Sequence, residues 1–186
     1  MDLRHYIRTY DADLEPALCQ RMIESFQGLG RFHQPNGRVA RAGLEDSAWT
    51  EVNVTRFSDA ALQGYFRQRV DRALARYNAD TGVGPVPIPN SPRIADLILK
   101  RYRAGADERF QPHFDAVLEH ADRYLVFLWY LNDVQDGGET EFVQLDTKVG
   151  ARTGRLLMFP PYWMYQHAGL APRSGDKYIL STYLLF

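Results

Sequence analysis

The sequence holds five histidines, His5, His33, His113, His120 and His167, and one of them stands in the triplet His113-Phe114-Asp115. In an extended segment residues i and i+2 point to the same side, so this imidazole and carboxylate can share one metal ion. A His-x-Asp triplet recurs by chance and carries little weight alone. His120, in the loop-like AVLEHAD, is a rival ligand; its plainer reading is a solvated or hydrogen-bonded histidine. His167, 54 residues past His113 in a late strand, offers a third donor. Two histidines and one carboxylate on one face of a metal leave three positions open, the facial set that suits non-haem Fe(II) chemistry. A structural zinc site would instead be closed by four protein ligands.

A charged residue follows at a telling distance. Lys177 lies ten residues beyond His167, across the turn AGLAPRSGD, and a hairpin-like return brings it to a neighbouring strand facing the same cavity. A buried cation beside such a metal is costly unless it meets an anion. The distal carboxylate of 2-oxoglutarate is an anion of that kind, and Ser181, four residues on, faces the same way and can donate to it. Without the histidines Lys177 would read as a surface strand lysine. Lysine is scarce here: of 22 basic residues only Lys100, Lys148 and Lys177 are lysines.

These residues must be held by elements legible in the hydrophobic pattern. Asp13 is placed to cap a first helix with Pro16 in its first turn, Leu18, Met22, Ile23 and Phe26 as its apolar face and Gly28 as its end. Residues 30–48 read as a loop or flap, and Trp49–Phe57 as a strand. Ser58 is placed to cap a second helix whose one side carries Leu62, Tyr65, Phe66, Val70, Ala73, Leu74 and Tyr77. The Pro-rich 82–92 interrupts regular structure. Then come Ile94–Arg103, Arg123–Leu131, Glu139–Gln144, Arg155–Phe159, Trp163–His167 and Lys177–Leu185, short segments rich in β-branched or aromatic residues and separated by turn residues. Such spacing predicts a sandwich or barrel. The expected fold is α+β and β-rich: one domain over 1–186, with helical support and loops in 1–92 and a catalytic β core in 93–186.

Composition narrows the function. The 186 residues are 45% hydrophobic and 24% charged, an ordinary globular balance, with a net charge of -1. Both charge signs are spread evenly along the chain, which argues against a protein that grips nucleic-acid phosphates. The single cysteine, Cys19, excludes an intrachain disulfide and a multi-cysteine metal site; it reads as a small apolar helix residue. The N-terminus lacks a signal-peptide core, and the longest apolar run, Tyr124–Leu131, is far shorter than the ~20 residues that span a bilayer. A soluble cytoplasmic protein, with no membrane or nucleic-acid partner, is expected.

Four stretches, YRAGADERFQPHFD, YLNDVQDGGETEF, GRLLMFP and HAGLAPRSGDKY, occur in the order and approximate spacing of a known family. Through them residues 98–186 resemble the catalytic domain of the Fe(II)/2-oxoglutarate-dependent dioxygenases, prolyl 4-hydroxylase-like branch. The resemblance implies a double-stranded β-helix, or jelly roll. It places His113, Asp115 and His167 on the iron triad and Lys177 on the residue that pairs with the distal carboxylate. It places Tyr102 and Tyr130 on polar contacts to the cosubstrate, and Thr140 and Ser181 on the lining of the same pocket. Asp115 stands where related halogenases carry Gly or Ala, which favours hydroxylation. Lys177 stands where nucleic-acid demethylases of the wider superfamily carry an arginine pair.

The implied cofactors are Fe(II), 2-oxoglutarate and O2, with ascorbate supporting turnover. The implied reaction hydroxylates an aliphatic C–H and decarboxylates 2-oxoglutarate to succinate. Peptidyl proline is the leading substrate; a free amino acid or other small metabolite is the alternative, and a non-catalytic metal-binding module is a third reading that the intact triad and Lys177 disfavour. Tyr162, Trp163 and Tyr165 either wall the substrate entrance or pack in the core. The segment 31–47 is a candidate lid. Neither the substrate nor the oligomeric state is written in the sequence.

Overall fold

In the computed structural model, which describes residues 2–83 and 93–186, the first helix is α1 (Pro16–Gly28). Pro16 occupies its first turn, where a missing N–H costs nothing, and Cys19, Met22, Ile23 and Phe26 are buried. Asp13 does not cap it. Glu15 takes the capping position with no side-chain bond, because the Asp13 carboxylate accepts the Trp129 indole N–H at 2.7 Å. A buried indole needs an acceptor, and that demand wins. The second helix, α2 (Ala60–Thr81), is capped one residue later than expected: Asp59 accepts the Leu62 N–H at 2.8 Å. Most of the Pro-rich stretch, residues 84–92, lies outside the described residues.

The strands are β1 (Arg8–Tyr10), β2 (Gln34–Gly37), β3 (Ala48–Asn53), β4 (Arg93–Ile94), β5 (Ile98–Tyr102), β6 (Phe110–His113), β7 (Arg123–Tyr130), β8 (Thr140–Phe142), β9 (Thr147–Val149), β10 (Leu156–Phe159), β11 (His167–Gly169) and β12 (Lys177–Leu185). Among the described residues they form two sheets with antiparallel pairings throughout. The larger runs β1-β10-β7-β12-β5-β3-β2, with β4 beside the end of β12; the smaller runs β6-β11-β8-β9.

Three sequence expectations need correction. The flap at 30–48 contains β2, paired with β3 through Asn36–Trp49 and Gly37–Ala48. Ile94–Arg103 is two strands rather than one. Trp163–His167 is not a strand: Trp163–Tyr165 form a 3-10 turn and β11 begins only at His167. Pro160 and Pro161 just before it have no N–H for a ladder.

Alternation along the central strands builds two cores. Leu125, Phe127 and Trp129 of β7 and Leu180 and Leu184 of β12 pack toward the side that carries Phe66, Val70 and Leu74 of α2 and Phe26 of α1. Val126, Leu128 and Tyr130 of β7 and Ile179 of β12 point the other way, where they meet Phe142 of the smaller sheet. Helices therefore cover one face of the larger sheet, and the smaller sheet closes over the other. No helix among the described residues is long and apolar enough to cross a membrane.

Candidate active site

The site lies between the sheets. His113 ends β6 and His167 begins β11, and the two are direct partners across that antiparallel pair. The pairing shifts register between His167 and Gly169, so the ladder is irregular where the imidazoles meet. Asp115 follows β6 in a loop fixed by its own N–H, which donates to the Pro161 carbonyl at 3.0 Å. The three side chains converge, with ligand atoms all within 4.8 Å of one another. The Asp115 carboxylate lies 3.6 Å from His113 Nε2 and 3.5 Å from His167 Nε2.

The outer contacts leave the right atoms free. Each ring nitrogen Nδ1 faces a backbone carbonyl, Gln111 O at 2.8 Å for His113 and Tyr165 O at 3.1 Å for His167. Donation there puts the proton on Nδ1 and aims the Nε2 lone pair inward, the tautomer a metal requires. Asp115 Oδ1 accepts the Tyr183 hydroxyl at 2.9 Å, whereas its Oδ2 is buried without a partner. An orphaned carboxylate oxygen between two lone pairs is a strong acceptor set with nothing to accept, which is what an Fe(II) ion would complete. Burial pushes the Asp115 pKa up, but His167, His113 and Arg123 outweigh it and hold the carboxyl well below the usual range. Burial, aided by His113, pushes His167 down to about 4, so this imidazole is neutral at pH 7.

A small cavity adjoins the triad. Of the other residues singled out in the sequence, Tyr102, Thr140, Lys177 and Ser181 line it. The Lys177 and Tyr102 positions pair across β12 and β5, with the ammonium 5.0 Å from the Tyr102 ring centroid. Lys177 is 2% exposed, and its Nζ has no hydrogen-bond or ion-pair partner among the described residues. Burial pushes its pKa down to about 7, with Glu139 opposing. Gly138, with φ of 76°, and Gly169 lie beside the Lys177 side chain. Tyr130 is not a lining residue. Its hydroxyl donates to Thr140 Oγ1 at 2.7 Å and so fixes the threonine from behind.

A wider groove opens outward from the triad between the 41–44 segment and the 114–123 loop. The candidate lid is pinned there by Gln111 of β6, whose side chain accepts from Asp46 N–H at 3.0 Å and donates to Gly43 O at 2.9 Å. His120 borders this groove and is not one of the converging donors. Tyr162, Trp163 and Tyr165 line neither space: Tyr165 is buried in the core between the sheets, and Trp163 is 67% exposed. Sequence reasoning passed over Lys100, Phe110 and Tyr183, which do line the cavity. Strand alternation from Tyr102 and Ser181 points to Lys100 and Tyr183.

Comparison with known proteins agrees with this geometry. Residues 97–185 match the 2OG-Fe(II) oxygenase superfamily. A curated relative, the multifunctional procollagen lysine hydroxylase and glycosyltransferase of Caenorhabditis elegans, is 22% identical over 169 residues; the match takes in 89% of this chain but only 22% of that protein. The fold is shared with the viral collagen prolyl hydroxylase of Paramecium Bursaria Chlorella virus-1, solved as a 2OG complex (TM-score 0.62, 20% identity, 97% of this chain and 95% of that one). It is shared too with a Pseudomonas putida prolyl-4-hydroxylase (0.68, 15%, 97% and 92%). A third is the Trichoplax adhaerens prolyl hydroxylase, solved with a hypoxia inducible factor peptide (0.72, 14%, 97% and 84%). The superfamily match thus falls on the stretch that carries His113, Asp115, His167 and Lys177.

Proposed function

We propose that the protein hydroxylates an aliphatic C–H bond, with a prolyl residue of a peptide or protein as the leading substrate, and that His113, Asp115 and His167 hold its iron. The observation that carries this reading is the converging triad whose Asp115 Oδ2 is buried and unpartnered. The prolyl preference draws on the solved relatives, which are prolyl hydroxylases, one of them holding a peptide. The open groove beside the triad supports the same choice. The two facing antiparallel sheets are read as the halves of a double-stranded β-helix, with residues 1–186 as one domain.

With Fe(II), 2-oxoglutarate and O2 bound, the site supplies an oxidant that inserts oxygen into the C–H bond while 2-oxoglutarate becomes succinate and carbon dioxide. The chain's own work is positional. His113, Asp115 and His167 would hold the ion with three protein donors, which leaves coordination positions for the reactants. Lys177 meets the distal carboxylate as a fixed point charge, assisted by the Ser181 and Tyr102 hydroxyls, and this contact resolves the burial of its ammonium. Thr140, held by Tyr130, and the apolar Val126, Leu128 and Ile179 wall the cavity and keep water from the reacting atoms.

The test is succinate release from 2-oxoglutarate by purified protein with Fe(II) and ascorbate. Wild type releases succinate, and Asp115→Ala does not. Equal turnover by that variant removes the triad from the chemistry. A mass-spectrometric screen for products gaining one oxygen then separates a prolyl peptide from a free amino acid.

A further inference from the structure

Lys100 stands on β5 two residues before Tyr102, with its side chain on the cavity side. It borders both the inner cavity and the outer groove, so it sits at the throat between them, whereas Lys177 borders only the inner cavity. The Trp49 and Phe110 rings flank its ammonium, with centroids 5.4 and 5.6 Å away. Its cross-strand neighbour Glu51 is engaged elsewhere: Trp49 Nε1 donates to Oε2 at 2.6 Å and Asn36 Nδ2 to Oε1 at 2.8 Å. Glu51 acts on Lys100 through space, but among the described residues no hydrogen bond or ion pair reaches the Lys100 ammonium. The partly exposed Lys100 thus presents its three N–H donors at the throat, between two ring faces and uncommitted to any oxygen of the described residues.

The other charges around the groove do not supply one. Asp96 accepts from Asn53 at 2.7 Å, Asp122 lies 3.6 Å from Arg93, and Glu119 lies 3.9 Å from His120. Arg41 and Arg123 add positive charge to the same groove, and a divalent ion at the triad more than neutralises Asp115.

We propose that Lys100 is a substrate-binding residue that takes a carboxylate, so that the molecule hydroxylated carries a carboxylate close to its reacting carbon. The two cavity lysines then serve two anions, Lys177 the cosubstrate and Lys100 the substrate. This rests on the oxygenase reading above. A carboxylate reaches the throat from one of two sources, the free α-carboxylate of an amino acid or an acidic side chain beside the target residue of a peptide.

The experiment uses matched acid and amide pairs with wild-type protein, Fe(II) and 2-oxoglutarate. One arm compares free amino acids, L-proline included, with their amides. The other compares end-blocked peptides in which proline is followed by Glu or by Gln. Products gaining one oxygen are counted by mass spectrometry. The expected result is turnover of the acid member, with kcat/KM for the amide lower by about tenfold to a hundredfold, the worth of one charge-assisted hydrogen bond. The arm that reacts identifies the source. Lys100→Met should erase the acid preference and Lys100→Arg should retain it. Equal turnover of acid and amide by wild type overturns the proposal without any variant. So does succinate release with no oxygenated product from any acid member. Absence of succinate release altogether counts against the oxygenase reading itself.

Discussion

The two faces of the larger sheet are made by the same strands and carry different polar groups. On the helix-covered face, the buried polar ends of Trp129 and Tyr77 each have a partner, Asp13 and the Tyr6 carbonyl. Around them Phe66, Val70, Leu99, Phe127 and Leu180 pack with almost no exposure. One residue along on β12 the environment reverses. Lys177, Ile179, Ser181 and Tyr183 face the cavity, where Asp115 Oδ2 is buried without a partner and the buried Lys177 meets the Tyr102 ring but no hydrogen-bond or ion-pair partner among the described residues. Unmet hydrogen-bonding capacity lowers stability: on the helix face it remains at the buried Arg101 Nε, whose guanidinium lies 5.8 Å from the Phe26 ring centroid, and on the cavity face it lies where a ligand can complete it. The helix face supplies stability; the cavity face holds the chemistry.

Substitutions on the two faces should therefore separate activity from stability. Asp115→Ala removes a proposed ligand and should lower succinate release by more than about a hundredfold, beyond the loss usual when only a residue behind a ligand is removed. Far-ultraviolet circular dichroism should be unchanged. Leu180→Ala, three residues from Lys177 on the opposite face, should cost about 2–5 kcal/mol of unfolding free energy. The 2-oxoglutarate affinity of the folded fraction should be preserved. A matching loss of affinity would mean that the two faces are not independent.

Lys177 sharpens the contrast, because the same substitution should improve one property and damage the other. Its pKa falls to about 7 on folding, from 10.5. Between those values the unfolded chain binds more protons, so stability without ligand should rise as pH rises from 7 toward 10.5. Lys177→Met should flatten that rise and increase Tm at neutral pH. It should also weaken 2-oxoglutarate binding by about tenfold to a hundredfold, read by calorimetry. In wild type the carboxylate requires the protonated amine, so affinity should fall as pH rises above 7, with proton uptake on binding. Lys177→Arg should bind with no such pH dependence.

What was legible in the sequence follows the same division. His113, Asp115, His167 and Lys177 were found because period-two alternation and a turn length place them without any knowledge of packing. The central strands and both helices were readable from their apolar pattern. The short strands were not: β1 and β9 have three residues each, too few for a pattern, and β2 reads Gln-Pro-Asn-Gly, a turn sequence paired only because β3 lies beside it. Asp13 was misassigned because its competitor for the carboxylate, Trp129, is 116 residues away. Lys100 and Tyr183 lay within reach of the alternation argument, but a lysine or tyrosine on a strand reads first as a surface residue. Only the sheet order shows that β5 and β12 are central.

The smallest expected effect tests whether the cavity face is tuned beyond its ligands. The Tyr183 hydroxyl donates to Asp115 Oδ1, with the Arg123 guanidinium 3.8 Å from the Tyr183 ring centroid. That bond fixes which carboxylate oxygen remains free and restrains the rotation of the group. Tyr183→Phe removes it and nothing else of comparable size. Metal affinity, titrated with Co(II) as a spectroscopic substitute, should fall by about tenfold, the lower end of what outer-shell partners contribute. Tm should move little. Tyr178 lies on the helix face of the same strand, where its ring meets Phe26 edge-on at 5.8 Å. Tyr178→Phe should leave the Co(II) titration unchanged. If both variants weaken the metal equally, the effect comes from general loosening of β12 and not from the bond to Asp115. If only Tyr183→Phe does, the hydrogen bond from the Tyr183 hydroxyl positions the carboxylate for the metal.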